Sequence, residues 1–130
     1  MAEYFEIAGY TVLSTLGQGA KSTIYAVRDA KQRKYALKRV VRESAGDQRF
    51  IDQALAEHAV ASRFDHELLR ASYRVIRQRA LLRTTEVLVL MELVEGTTLE
   101  QHPPTDLVET CQICKQVAVG LGVMHEGGYV

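Results

Sequence analysis

The rhythm of apolar and polar positions along the chain marks out its elements. Residues 10–16 and 23–27 are runs of strand formers (Tyr10, Thr11, Val12, Leu13, then Thr23, Ile24, Tyr25, Ala26, Val27), joined by Gly17-Gln18-Gly19-Ala20-Lys21-Ser22. A polar turn leads to a third strand over 34–41. Phe50, Ala54, Ala61 and Phe64 recur at helical spacing, which predicts a helix over 49–64 that Asp65-His66-Glu67 ends. A strand over 72–76, a polar loop over 78–85 and a strand over 86–94 follow, the last apolar on both faces as far as Glu92. After His102-Pro103-Pro104, Thr105 or Asp106 can cap a second helix, with Glu109 placed for a capping box. Leu107, Cys111, Cys114, Ala118, Leu121 and His125 share one face of it, and Gly127-Gly128 stops it. The order predicts an α+β fold: a five-stranded antiparallel sheet with one helix packed on it, then a long second helix.

One strand carries a charge where none is cheap. In Tyr35-Ala36-Leu37-Lys38 the side chains alternate, so Ala36 and Lys38 point the same way. A lysine on the covered face of a sheet needs a negative partner. Two candidates present themselves: the phosphates of a nucleotide, and Glu57, which falls in the middle of the helix's apolar stripe. Glu57 either meets Lys38 there or sits at the stripe's edge and reaches water. Leu16, Ile24, Ala26 and Ala36 can share one face and form a flat apolar slot. Beside it, the two loop glycines either let backbone N–H groups approach an anion or make a plain hairpin turn. The strand end at Glu92 to Gly96 should leave backbone groups free to read the edge of a flat heterocycle. Lys21 at the loop tip can add a phosphate contact or point into water, and water is the expectation for it as for His58 and Arg63.

Composition narrows the class. The chain has 130 residues, 47% apolar, with zero formal net charge. That predicts an ordered domain and offers no basic surface for nucleic acid or membrane. The aliphatic run 87–91 is too short to span a bilayer, and the amino-terminal segment carries acid and no long apolar run, so no leader and no membrane segment are expected. Two cysteines without a leader suit a reducing, cytoplasmic setting. The Cys111-x-x-Cys114 pair reads as packing on the second helix, since a zinc site needs about four ligands.

Taken together, these motifs resemble the eukaryotic-type protein kinases, most of all the serine/threonine branch and its bacterial members. Gly17-x-Gly19-x-x-Ser22-x-Ile24 resembles the family's phosphate-covering loop, and Tyr35-Ala36-Leu37-Lys38 its lysine-bearing strand. Glu57 falls where the family's helix C glutamate falls, Met91 where the gatekeeper falls, and Glu92-Leu93-Val94 where the hinge falls. Residues 120–130 resemble the end of the large lobe's first long helix. The resemblance implies a small lobe and hinge over 10–96 and the start of a large lobe over 97–130. It implies ATP held by Leu16, Gly17, Gly19, Ser22, Ile24, Ala36, Lys38, Glu57, Met91, Glu92, Leu93 and Val94, and phosphoryl transfer to protein hydroxyls.

There are departures. Ser22 replaces the third glycine, and Lys21 the aromatic residue common at the tip. In the family the catalytic loop and the magnesium ligands come after the point where Val130 stands, so no catalytic or metal residue is expected within these 130 residues and little activity from them alone. The apolar face of the 106–126 helix is then expected to be bare and to favour self-association. Two alternatives stand beside this reading: a pseudokinase or nucleotide-binding regulatory module, and an interaction domain that binds no nucleotide.

Overall fold

The computed structural model describes residues 5–130. The polar amino-terminal segment read above as carrying no leader lies mostly outside them. Six strands form one antiparallel sheet: β1 (Glu6–Ile7), β2 (Tyr10–Gln18), β3 (Ser22–Arg28), β4 (Lys34–Val41), β5 (Ser72–Ala80) and β6 (Arg83–Met91), in the order β1-β2-β3-β4-β6-β5. The expected five strands are present, and β1 is an addition too short for any periodicity to reveal.

Helix α1 (Gln48–Ala61) lies between β4 and β5 in sequence, and α2 (Leu107–Glu126) closes the chain. The two faces of the sheet are both apolar. On one, Tyr10, Val27, Leu37, Leu88 and Leu90 pack together; on the other, Val40, Val87 and Val89 pack against Ile51 and Ala54 of α1. The residue of α1 that anchors it is Ile51, which is fully buried. The expected stripe of Phe50, Ala54, Ala61 and Phe64 contributes Ala54 fully and the others only in part. The helix is rotated toward Ile51 because that side chain fills the space over Val87 and Val89.

Two further expectations need correction. The polar loop over 78–85 is a hairpin: β5 and β6 stay paired as far as Ala80 and Arg83, and only Leu81 and Leu82 turn the corner. Both leucines are fully exposed, and Leu81 has φ +57°. The polar composition of the stretch hid the strands, because β5 is an edge strand whose outer side chains face water.

The second correction concerns α2. Asp106 caps it, Oδ1 accepting from the Glu109 amide at 2.7 Å. Its buried position is Gly120, where an added Cβ would lie 3.5 Å from the Leu68 carbonyl oxygen. Cys111 and Cys114, read as packing, are free thiols and exposed, and Ala118 and Leu121 are exposed with them, in line with the expectation of a bare apolar face. Periodicity places residues on one face but not what covers that face. By length and composition alone α2, with mean hydropathy 1.2, is apolar enough to cross a membrane, which the run 87–91 is not. Beyond it, Tyr129 packs edge-on against Phe64 at 5.6 Å, and Arg63 donates to the Tyr129 hydroxyl.

Candidate nucleotide site

The site is built on the face of the sheet that α1 covers. Direct cross-strand partners share a face, so Ile24, Lys38 and Val89 form one row across β3, β4 and β6, and Ala26, Ala36 and Met91 the next. Ala26 and Ala36 are buried, Ile24 and Met91 half-buried. An irregularity between Thr15 and Gly17 sets Leu16 out of the ladder, and it is half exposed over a hollow of about 360 Å³ shared with Ala26, Leu93, Val94 and Gly96.

Lys38 and Glu57 meet. The ammonium donates to Oε2 at 2.9 Å, and the Gln53 side-chain amide donates to Oε1 at 3.0 Å. Burial alone would raise the Glu57 pKa, but the hydrogen bonds from Lys38 and Gln53, with the lysine's charge, hold it below the usual glutamate value. Glu57 is at the edge of the stripe as well as paired: half of its side chain is exposed, against a fifth for Lys38. Both readings of Glu57 therefore hold at once.

The loop over this pair is tight. Gly19 N–H donates to the Ser22 carbonyl at 2.7 Å, and a Cβ on Gly19 would come within 2.9 Å of Ser22 Oγ. A side chain at 19 would make the Ser22 hydroxyl swing aside. Beneath the loop, Ala20, Ser22, Lys38, Phe50 and Gln53 line a cavity of about 190 Å³. Lys21, expected in water, binds Glu43 at 3.0 Å and Asp47 at 3.4 Å instead. Its partners sit 22 and 26 residues on, so no local pattern pointed to them. His58, also expected in water, lies with Nδ1 2.7 Å from Ser72 Oγ.

After β6 the backbone is only partly free. Glu92 N–H donates to the Ala71 carbonyl at 2.9 Å, and its own carbonyl accepts from Arg70 Nε at 2.9 Å. Arg70 was not singled out by the sequence, and a long arginine reaching a carbonyl leaves no periodic trace. The Glu92 carbonyl retains a second lone pair, and among the described residues the Leu93 and Val94 amides have no protein partner. An edge-reading acceptor and donors thus stand beside the Leu16 hollow. No three of His, Cys, Asp and Glu cluster as a metal site among the described residues.

A sequence model of the protein kinase domain matches residues 10–130. The chain belongs to the protein kinase family. A solved structure with the same fold is the PknI kinase domain of Mycobacterium tuberculosis, C20A mutant, at 26% identity and TM-score 0.72. The match covers 98% of this chain and 53% of that one, so the chain spans about half the length of the solved relative. A search of curated proteins returned no match. The likeness to a mycobacterial member agrees with the bacterial type suggested by the motifs, and β1 to α1 with β5 and β6 correspond to the kinase small lobe.

Proposed function

We propose that this chain is the ATP-binding portion of a cytoplasmic serine/threonine protein kinase, whose whole polypeptide transfers a phosphoryl group from ATP to hydroxyls of a protein substrate. The observation that carries the reading is the Lys38–Glu57 pair, set at 2.9 Å under a glycine loop that the Gly19 N–H folds back onto the Ser22 carbonyl. ATP bound there would supply the phosphoryl group. Lys38 would meet its phosphates, Glu57 would hold Lys38 in place, and the loop carrying Gly17, Gly19 and Ser22 would close over them. Leu16, Ile24, Ala36 and Met91 would sandwich the base from the small-lobe side, with Glu92, Leu93 and Val94 at its edge.

The residues fit the nucleotide better than they fit its metal. Lys38 offers a point charge at the cavity wall, and the free Leu93 and Val94 amides offer donors at the hinge. Magnesium takes octahedral oxygen coordination, from one or two carboxylates together with phosphates and waters. Phosphoryl transfer depends on positioning and charge neutralisation together. These residues supply positioning and one cation, so the 130 residues by themselves are expected to bind and not to turn over. Association of copies through α2 forms no part of this reading.

Thermal unfolding with and without ATP and magnesium tests it, on the wild-type chain and on Lys38→Met. A rise in Tm with ATP that the variant loses supports the nucleotide site. No rise in either chain overturns it in favour of an interaction domain.

A further inference from the structure

The tip of the phosphate-side loop is fastened through one side chain. Lys21 Nζ stands 3.0 Å from Glu43 Oε2 and 3.4 Å from Asp47 Oδ2. Asp47 is only 6% exposed, and its Oδ2 already accepts from the Glu43 and Ser44 amides at 3.0 Å each. The acceptor is therefore placed by backbone and does not follow the lysine about. The main chain adds a second tie, the Val41 N–H donating to the Lys21 carbonyl at 3.3 Å.

What Lys21 is tied to matters. Ser44 and the 3-10 turn Ala45–Asp47 lead directly into α1, with Asp47 as its N-cap residue. Two to three turns further on, α1 carries Gln53 and Glu57, the groups that hold Lys38. Lys21 and Lys38 also line the same cavity. A single ammonium thus connects the loop that would cover phosphates to the helix that seats the phosphate-facing lysine.

We propose that Lys21 is a positioning residue for the nucleotide: by binding Glu43 and Asp47 it locks the loop tip to the start of α1, so that closure of the loop and seating of Glu57 on Lys38 go together. The proposal rests on the nucleotide reading above. Lys21 acts through the carboxylates and not on the phosphates. A phosphate contact would require it to give up two acceptors, one of them buried and fixed.

The two roles differ in sign at Glu43. Where Lys21 works as a tie, Glu43→Gln weakens nucleotide binding as Lys21→Ala does. Where Lys21 is a phosphate ligand, Glu43→Gln releases it and tightens binding. Exposed ion pairs are weak, so the expected rise in ATP Kd for Lys21→Ala is about threefold, smaller for Glu43→Gln, with the double variant no worse than Lys21→Ala.

Amide hydrogen exchange over 17–23 and 43–48, without nucleotide, tests the tie by itself, and ATP titration of the same chains tests its consequence. Support is faster exchange in both segments for Lys21→Ala, restored by Lys21→Arg, together with the matching rise in Kd. Unchanged exchange overturns the tie. Faster exchange with unchanged Kd, while Lys38→Met loses binding, overturns the positioning role and leaves the nucleotide site standing. Absence of ATP binding in the wild type overturns both.

Discussion

The Lys38 ammonium donates to Glu57 Oε2 at 2.9 Å, joining the middle of β4 to the exposed side of α1. A fully buried pair would cost several kcal/mol to break. Half of the Glu57 side chain is in solvent, so its attraction is screened and the pair contributes about 1 kcal/mol or less to folding. Lys38→Met should therefore leave the chain folded, with its unfolding free energy in urea titration lowered by no more than that contribution. A variant that fails to fold would show that the pair is structural first.

Acid should weaken the fold through carboxylates held below their usual values, Glu57 and Asp47 together with Asp29. Glu57 is held below the usual value because the hydrogen bonds from Lys38 and Gln53 outweigh burial, and Asp47 because the Glu43 and Ser44 amides and then Lys21 outweigh burial. A group whose folded pKa is depressed contributes stability above its unfolded pKa and loses it as pH falls through the folded one. With ordinary values of 4.5 and 3.8, the loss begins as pH drops toward 4.5 and continues below 3.8. Circular dichroism during acid titration checks this. Glu57→Gln should flatten the upper part of the curve and Asp47→Asn the lower part.

Ile51 is the bolt between α1 and the sheet, fully buried against Val87 and Val89. Ile51→Ala removes that packing and leaves a void, at a cost of about 2–5 kcal/mol. Because Glu57 rides on the same helix, the variant should lose its ATP response along with stability. Chemical denaturation and ATP titration, run on one sample, check both.

The Ala80–Arg83 hairpin holds Leu81 at φ +57° with its side chain wholly in water. A left-handed conformation costs an L-residue about 1–2 kcal/mol, and glycine gives back part of that as lost chain entropy. Leu81→Gly loses no contact, so it should raise the unfolding free energy by about 0.5 kcal/mol or more, and the midpoint with it. A lower midpoint would mean that the leucine has a partner in solution.

The parts of the fold that the sequence discloses are those with local grammar. Alternation placed Lys38 and Ala36 on one face, and the place of Glu57 in an apolar stripe made it one of two candidate partners for that lysine. Asp106 with Glu109 announced the start of α2. What stayed hidden depends on contacts far apart in the chain. Lys21 with Asp47, and Arg70 with the Glu92 carbonyl, join loops by long flexible side chains that obey no period. The hairpin at Leu81 and Leu82 lacks the glycine or asparagine that its turn ordinarily demands. Ile51 stands one residue beside the apparent stripe, and a stripe read from Phe50, Ala54, Ala61 and Phe64 leaves it out although it packs with Ala54 and Phe50.

Equilibrium binding of ATP to the wild-type chain, Lys38→Met and Glu57→Gln tests the nucleotide assignment most directly. The expected result is measurable binding in the wild type, abolished by Lys38→Met and weakened by Glu57→Gln. Equal affinity in all three chains would contradict it.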